Sequence, residues 1–565
     1  MKKKNKDKII IYQVLPRLFG NKNATRKHNG SISDNGSGKF NQFTNRALDG
    51  IKNMGFTHIW YTGVLAHASK TDYTKYGVPK QHPEVIKGNA GSPYAIRDYY
   101  DVDPDLAVNV ENRMREFENM VDRTHKNGMD VIIDFVPNHL ARDYKSIMKP
   151  EGVEEFGDND DTSVQFSSSN NYYYMPGKAL DLSLIPNKEA ENYSENPAKV
   201  TGNDAFTHMP SQNDWYETVK LNYGVNYLDG RRGHFSPKPD TWHKMKDVLL
   251  FWAGKKVDGF RCDMAEMVPL EFWKWVIPIV KADYPNILFI AEIYNKNAYR
   301  NFLSTNAFDY LYDKVGLYDV VRDVACGYRP SSDITFTLSE VGDIQSKMLN
   351  FLENHDEQRI ASDYFLGDGK KGFASMILTA CVNTNPIMVY FGQELGERGM
   401  DIEGFSGKDG RTTIFDYWSV DKIVRWNNSE KWNMDKLTDD EQILKNKYTS
   451  LLQLCNKEKA ISQGKFYDLM YANYDNMEFN STKEYAFLRG DGESLFLVVV
   501  NFNNIDSALK VNIPEEAFAF FKRERNSTKQ AIPMLNANSN VVTCNGTGLF
   551  EVELEAYSGE VYKLL

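Results

Sequence analysis

Short runs of β-branched and aromatic residues alternate with amphipathic helical stretches through the first 460 residues of the chain. That alternation is the pattern of β/α units built around a parallel sheet. Strands are predicted at 9–15, 57–62, 130–136, 257–262, 287–291, 307–311, 348–352 and 387–391, with helices near 41–53, 111–126, 240–255 and 269–282. Eight such units close a (β/α)8 TIM barrel, a fold of the α/β class whose reactive groups gather at the C-terminal ends of the strands.

Two stretches break the alternation. Residues 140–223 are rich in Asn, Asp, Ser and Tyr, with Ser167-Ser-Ser-Asn-Asn171 followed by Tyr172, Tyr173 and Tyr174. A structureless loop of that length is uncommon inside a compact domain, so the stretch is predicted to be a small domain inserted after the third strand. From 461 onward only strands and turns remain, which predicts a C-terminal all-β sandwich. The expected plan is therefore a barrel of 1–139 and 224–460, an insertion of 140–223, and a sandwich of 461–565.

Charge and composition narrow the partners. The 565 residues carry 67 Lys+Arg against 77 Asp+Glu, a net charge of −10. Such a chain lacks the clustered positive charge that phosphate backbones need, which excludes nucleic acid as a partner. No window reaches the 18 or so consecutive apolar residues of a membrane span. The basic start, Met1-Lys-Lys-Lys, leads only into Ile9-Ile-Ile-Tyr12, too short for a signal h-region. The expectation is a cytoplasmic chain, or an exported one whose leader has been removed. Its oligomeric state is left open. Five cysteines at 262, 326, 381, 455 and 544 are an odd number without metal-ligand spacing, and free thiols are expected.

Four segments place ionisable or amide groups at the predicted end of a strand: Asp134-Phe-Val-Pro-Asn138-His139, Gly259-Phe-Arg261-Cys-Asp263, Ala291-Glu292-Ile-Tyr294 and Glu353-Asn-His355-Asp356. A lone Asp after a strand is usually a helix cap. Four such segments on different strands of one barrel would face a common mouth. Residues two apart share a strand face, so Arg261 and Asp263 point the same way. The guanidinium is expected to lower the pKa of Asp263 and keep it anionic, as a carboxylate nucleophile requires. Glu292 follows an apolar run, where desolvation and neighbouring anions would raise its pKa and suit it to general acid work. Two carboxyls of separated pKa are the machinery of retaining glycoside hydrolysis, and Asp356 could hold sugar hydroxyls in the transition state. The plain alternative is an internal salt-bridge cluster around Arg261.

In this order the four segments resemble the signature regions of the α-amylase family, glycoside hydrolase family 13, and the likeness spans nearly the whole chain. Further similarity lies in Ile11-Tyr-Gln-Val-Leu-Pro-Arg17 and Tyr390-Phe-Gly-Gln-Glu394. The resemblance implies a catalytic (β/α)8 barrel with an inserted domain and a C-terminal sandwich. It implies Asp263 as nucleophile, Glu292 as acid/base and Asp356 as transition-state stabiliser. It also implies that His139, Arg261, His355 and the stacking tyrosine Tyr94 hold the sugar at the scissile subsite. The activity implied is that of a retaining α-glycosidase on α-linked gluco-oligosaccharides such as maltooligosaccharides or starch. Its alternatives are a glucanotransferase or trehalose-synthase-type isomerase on the same barrel, and a non-catalytic sugar-binding relative. All three acidic positions are present, against the last of these.

Just past the nucleophile the chain departs from the family habit. Where many amylases carry Lys-His it has Glu266 and Met267, and Met264 adjoins the nucleophile. Glu266 is either an extra negative charge at the mouth or a helix N-terminal carboxylate. Asn138 matches an asparagine that ligates a structural Ca²⁺ in many family members, and calcium seeks six to eight oxygens. Asn222 stands where an aspartate is common, and Met267 could offer only its carbonyl. Asn21 and Asn23, in Asn21-Lys-Asn23-Ala-Thr25, are spaced like a second calcium loop without its carboxylates. No catalytic cofactor is implied. His67, His82 and His125 are expected in solvated or capping roles. Tyr172–Tyr174, Trp215 and Tyr216 are either outer sugar contacts or the core of the insertion.

Overall fold

The computed structural model describes residues 8–186, 191–304, 307–528, 530–536, 540–543 and 546–565. Its centre is a closed barrel of eight parallel strands in sequence order: β1 (Ile10–Val14), β2 (His58–Tyr61), β3 (Asp130–Phe135), β4 (Gly259–Cys262), β5 (Leu288–Ala291), β6 (Tyr310–Tyr312), β7 (Met348–Phe351) and β8 (Ile387–Tyr390). Closure comes from β1 pairing with β8 through Ile10↔Ile387 and Ile11↔Met388. The helices that follow the strands are α1 (Asn45–Asn53), α2 (Arg113–Lys126), α3 (Asp240–Gly254), α4 (Leu270–Asp283), α5 (Tyr299–Leu303), α6 (Asp319–Ala325), α7 (Phe373–Cys381) and α8 (Asp439–Lys457).

Alternation along each strand divides its side chains between two environments. Ile11, Trp60, Ile132, Ile290, Tyr312, Leu349, Phe351 and Met388 pack together inside the barrel. Their neighbours Tyr12, Ile59, Ile133, Phe260 and Phe289 face the helices in the larger core. With both faces buried, the strands read as near-continuous apolar runs, which is why they stand out in sequence.

Seven barrel strands lie within their predicted windows. The sixth is predicted at 307–311 and begins only at Tyr310. Ahead of it Ala307 and Phe308 are buried, while the Asp309 carboxylate accepts the Phe289 N–H at 2.8 Å. The apolar run thus starts before the ladder does. Helix α1 starts later than predicted, at Asn45, where Thr44 Oγ1 accepts the Ala47 N–H at 3.3 Å and caps it.

Between β2 and α2 an antiparallel pair, Leu65–His67 with Ile96–Val102, stands above the barrel. The β/α rhythm of the sequence predicts no strand there. His67 is correspondingly not solvated: it is buried, with Nδ1 2.8 Å from Asp103 Oδ2. His82 Nδ1 accepts the Glu84 N–H in a capping role. His125 pairs with Asp258 at 2.7 Å, which raises its pKa.

Short two-stranded pairs follow β3. His139–Ala141 runs antiparallel to Thr218–Lys220, with His139 opposite Lys220. Tyr174–Met175 pairs with Ala198–Lys199. Tyr172, Tyr173, Tyr174 and Tyr216 are buried, which gives these rings to the core of this segment.

After α8 the chain turns to β9 (Lys465–Asp468), β10 (Glu484–Gly490), β11 (Leu495–Asn501), β12 (Ser507–Asn512), β13 (Gln530–Pro533), β14 (Val542–Thr543), β15 (Leu549–Leu554) and β16 (Ser558–Leu564). They form a six-stranded sheet, β9-β10-β11-β16-β13-β14, and a two-stranded ribbon, β12-β15. Barrel and sheet are tied at Arg489 of β10, whose buried guanidinium donates to the carbonyls of Val382, Ile461 and Gly464, each at 2.8 Å. Four cysteines, at 262, 326, 381 and 455, are free thiols; Cys544 lies outside the described residues.

Candidate active site

Register brings together carboxylates that are far apart in sequence. Cys262 of β4 is the ladder partner of both Phe135 on β3 and Ala291 on β5. Asp263 and Glu292 are each the next residue, so they leave adjacent strands at the same height. Backbone bonds extend the ladder through them: the Asp263 N–H donates to Phe135 at 2.9 Å and the Glu292 N–H to Cys262 at 3.1 Å. Arg261 lies opposite Asp134.

Arg261 is the hub. Its side chain is 1 % exposed, with Nη1 2.6 Å from Asp263 Oδ1 and Nη2 2.6 Å from Glu292 Oε1. Asp134 Oδ1 lies 3.7 Å away. Burial works against the guanidinium charge, but Glu292 and the surrounding groups more than compensate and hold it protonated.

Three carboxylates of the site titrate away from their usual range. Burial pushes Asp263 well above it, against the pull of Arg261 and with the push of Glu292. The sequence expectation of a lowered value counted the guanidinium and not the desolvation. Burial also raises Asp134 to about 6. For Asp356, burial and then the Glu292 charge raise the carboxyl to about 7. Its side chain is 43 % exposed, and it lines the cavity described next. Four carboxyls around one guanidinium carry surplus negative charge, which opposes further ionisation of the shifted members.

A cavity of about 350 Å³ opens over this cluster, bounded by Asp263, Glu292, Asp356, Tyr94, His139 and His355 together with Lys87, Trp215, Tyr294 and Phe415. The size suits a sugar-sized ligand. The Tyr94 ring stacks on His355, with centroids 5.2 Å apart, and its hydroxyl is 2.6 Å from His355 Nε2. Gln13 Nε2 donates to His355 Nδ1 at 2.8 Å. Both imidazoles are kept neutral. Burial and the Arg261 charge hold His355 well below its ordinary value. Burial followed by the charges of Lys220 and Lys87 lowers His139 to about 3.

Several lining residues have roles that the sequence does not assign. Tyr294 donates its hydroxyl to Glu292 Oε1 at 2.7 Å, and the Met264 N–H donates to Glu292 Oε2 at 2.8 Å. The second bond requires Met264 to adopt φ 42°, a left-handed conformation uncommon outside glycine. Lys87 and Glu217 form an ion pair at 3.0 Å along the wall. Spacing alone could have found Tyr294, two residues beyond Glu292 and on the same face. The Met264 backbone leaves no sequence signal.

Two ambiguous side chains are placed. Trp215 stands against His139, with centroids 5.1 Å apart, and lines the cavity. Glu266 stands in the first turn of the short helix Ala265–Met267. Its carboxylate accepts the N–H groups of Tyr294 and Asn295 at 3.2 and 3.0 Å, fixing the turn after Glu292. Within the fourth segment Glu353 is structural, paired with Arg359 at 2.8 Å.

The amides expected to bind calcium are engaged otherwise. Asn138 Nδ2 donates to the Gly202 carbonyl at 2.8 Å, and its Oδ1 accepts the Lys220 ammonium. Asn21 Oδ1 accepts the Asn23 N–H at 3.1 Å, and Asn23 Oδ1 accepts the Thr25 N–H at 2.8 Å, a pair of side-chain turns. Asn222 Oδ1 likewise accepts the Gly224 N–H. No group of three or more His, Cys, Asp or Glu suited to a metal ion occurs among the described residues. These donor sets do not fit a calcium ion.

Comparison with known proteins agrees with this architecture. The family model described as "Alpha amylase, catalytic domain" matches residues 13–464, well over half of the chain. Alpha-amylase 3 of Dictyoglomus thermophilum is 20 % identical over 541 residues, covering 93 % of this chain and 91 % of that protein. An alpha-1,4-glucan:maltose-1-phosphate maltosyltransferase of Picrophilus torridus is 22 % identical over 310 residues, 53 % of this chain and 35 % of the relative. The crystal structure of a maltogenic alpha-amylase from Thermotoga neapolitana superposes with a TM-score of 0.62 at 19 % identity, over 99 % of this chain and 98 % of that one. Barrel, strand-end carboxylates and family match lead to one conclusion: the chain belongs to the α-amylase family of glycoside hydrolases.

Proposed function

We propose that this protein is a retaining α-glycosidase that hydrolyses α-linked gluco-oligosaccharides through a covalent glycosyl–enzyme intermediate. One observation carries the reading: a single guanidinium, Arg261, contacts both Asp263 and Glu292 at 2.6 Å beneath one cavity. Retaining chemistry needs its two carboxyl groups close together, roughly 5–5.5 Å apart, and a shared guanidinium brings these two carboxyls to one place.

Asp263 attacks the anomeric carbon while Glu292 gives its proton to the departing glycosidic oxygen. Glu292 then takes a proton from water, which displaces Asp263 and leaves the anomeric configuration unchanged. The reaction needs one carboxyl ionised and one protonated. Arg261 keeps Asp263 aligned, the Tyr294 hydroxyl and Met264 N–H orient Glu292, and Asp356 with neutral His355 and His139 receives sugar hydroxyls. Tyr94 offers its ring to the sugar face.

Transfer to a sugar acceptor is a second reading, favoured by the apolar rim that Trp215, Met264, Ile414 and Phe415 give the cavity. Products from maltoheptaose separate the two. Shorter sugars of retained configuration are expected; longer oligomers or an α-1,1 isomer as the main product would replace hydrolysis with transfer.

A further inference from the structure

Lys220 takes no part in the chemistry above, yet its side chain is only 3 % exposed. A lysine is seldom buried unless its charge is paired. Three oxygens from three separate segments meet its ammonium. Asn138 Oδ1 accepts from it at the end of β3. The Met267 carbonyl accepts at 3.3 Å from the turn Ala265–Met267, which begins two residues after Asp263. Asp204 Oδ1 is its ion-pair partner at 2.8 Å. Lys220 itself ends the strand that pairs with His139–Ala141.

The surroundings are built to hold this arrangement. Asp204 has a left-handed backbone, φ 60°, and its Oδ2 accepts from the Tyr227 hydroxyl at 3.1 Å and from Arg231 at 3.2 Å. Gly202 allows that loop to lie against the cavity wall: a Cβ there would stand 2.5 Å from Thr218 Oγ1 and 2.9 Å from His139 Cβ.

We propose that the Lys220 ammonium is a built-in cation, ligated by Asn138, Asp204 and the Met267 carbonyl, that locks the insertion to the turns beside Asp263 and His139 in place of a divalent ion. Lys220 is a positioning residue. One carboxylate and two neutral oxygens match a single positive charge, whereas calcium seeks six to eight oxygens, several of them charged. The ammonium and a metal ion cannot share these oxygens, because like charges at that range repel.

The test measures thermal unfolding and steady-state kinetics of the full chain in chelator and in excess calcium chloride. Wild type is expected to keep its Tm, kcat and KM in both. Lys220→Ala is expected to lose about 3 °C or more in Tm and about tenfold or more in kcat with a smaller change in KM, since a misplaced turn costs rate. It also gains a saturable calcium-dependent rise in Tm. Lys220→Arg, which keeps the charge, retains more Tm and kcat than Lys220→Ala. A fall in wild-type Tm with chelator, a rise with calcium, or a Lys220→Ala protein as stable, active and calcium-indifferent as wild type would overturn the proposal. The wild-type arm decides even where Lys220→Ala fails to fold.

Discussion

Arg261 and Lys220 are both buried cations at the barrel mouth, but their surroundings count charge differently. Asp134, Asp263 and Glu292 lie within 3.7 Å of Arg261, and Asp356 acts on the same cluster. A single carboxylate, Asp204, faces Lys220, beside two neutral oxygens. Surplus negative charge leaves the Arg261 cluster holding protons that chemistry can move. The Lys220 site carries no surplus of negative charge, since Asp204 also pairs with the exposed Arg231, and it can serve as a rigid tie. Burial alone does not make a charged cluster reactive; an unbalanced count does.

The comparison breaks first at the nucleophile. Asp263→Ala should lower kcat by about 10⁴ or more, because the covalent pathway disappears. Loss of less than tenfold would remove Asp263 from that role. Arg261→Met should cost about 10²–10³ in kcat, in the range of a lost electrostatic stabiliser. It should also move the acid limb of the kcat/KM profile to higher pH, since carboxyls without their cation bind protons more tightly. An unmoved limb would mean that Arg261 does not set the proton count.

A smaller effect tests the surplus directly. Asp356 holds its proton up to about pH 7 in the folded chain, while an unfolded chain releases it near pH ~4. Folding therefore takes up a proton between those values, and this contribution to stability is lost as pH rises through the window. Asp356→Asn should gain a few degrees of Tm over wild type at pH 8 and little at pH 5, followed by calorimetry at both. Equal differences at both pH values would contradict the assignment. Least of all, Glu266→Ala should cost about 1 kcal/mol of stability through two lost backbone bonds and lower kcat a few-fold by loosening the turn that carries Tyr294.

The barrel was legible because strands buried on both faces announce themselves as apolar runs, and the catalytic candidates because they stand just past such runs, Asp263 and Glu292 by one residue and Asp356 by four. Where the apolar run and the ladder diverge, as at Ala307 and Phe308, the prediction slipped. The direction of the Asp263 shift was misread because adjacency to Arg261 is visible in sequence and desolvation is not. His67 read as a loop residue because its strand lies outside the β/α rhythm. Lys220 and Asp204 gave no signal: neither sits at a barrel strand end, and only the pairing of Thr218–Lys220 with His139–Ala141 brings that ammonium to Asn138.

The central claim is that Asp263 becomes glycosylated during turnover. Incubation with a fluorinated glucosyl fluoride whose enzyme-bound ester hydrolyses slowly, followed by peptide mass spectrometry, reads this directly. A single fluoroglucosyl adduct on Asp263, formed with release of fluoride, is expected, and it chases off with an acceptor sugar. An adduct on another residue, or turnover that yields the inverted anomer with no adduct, would contradict the claim.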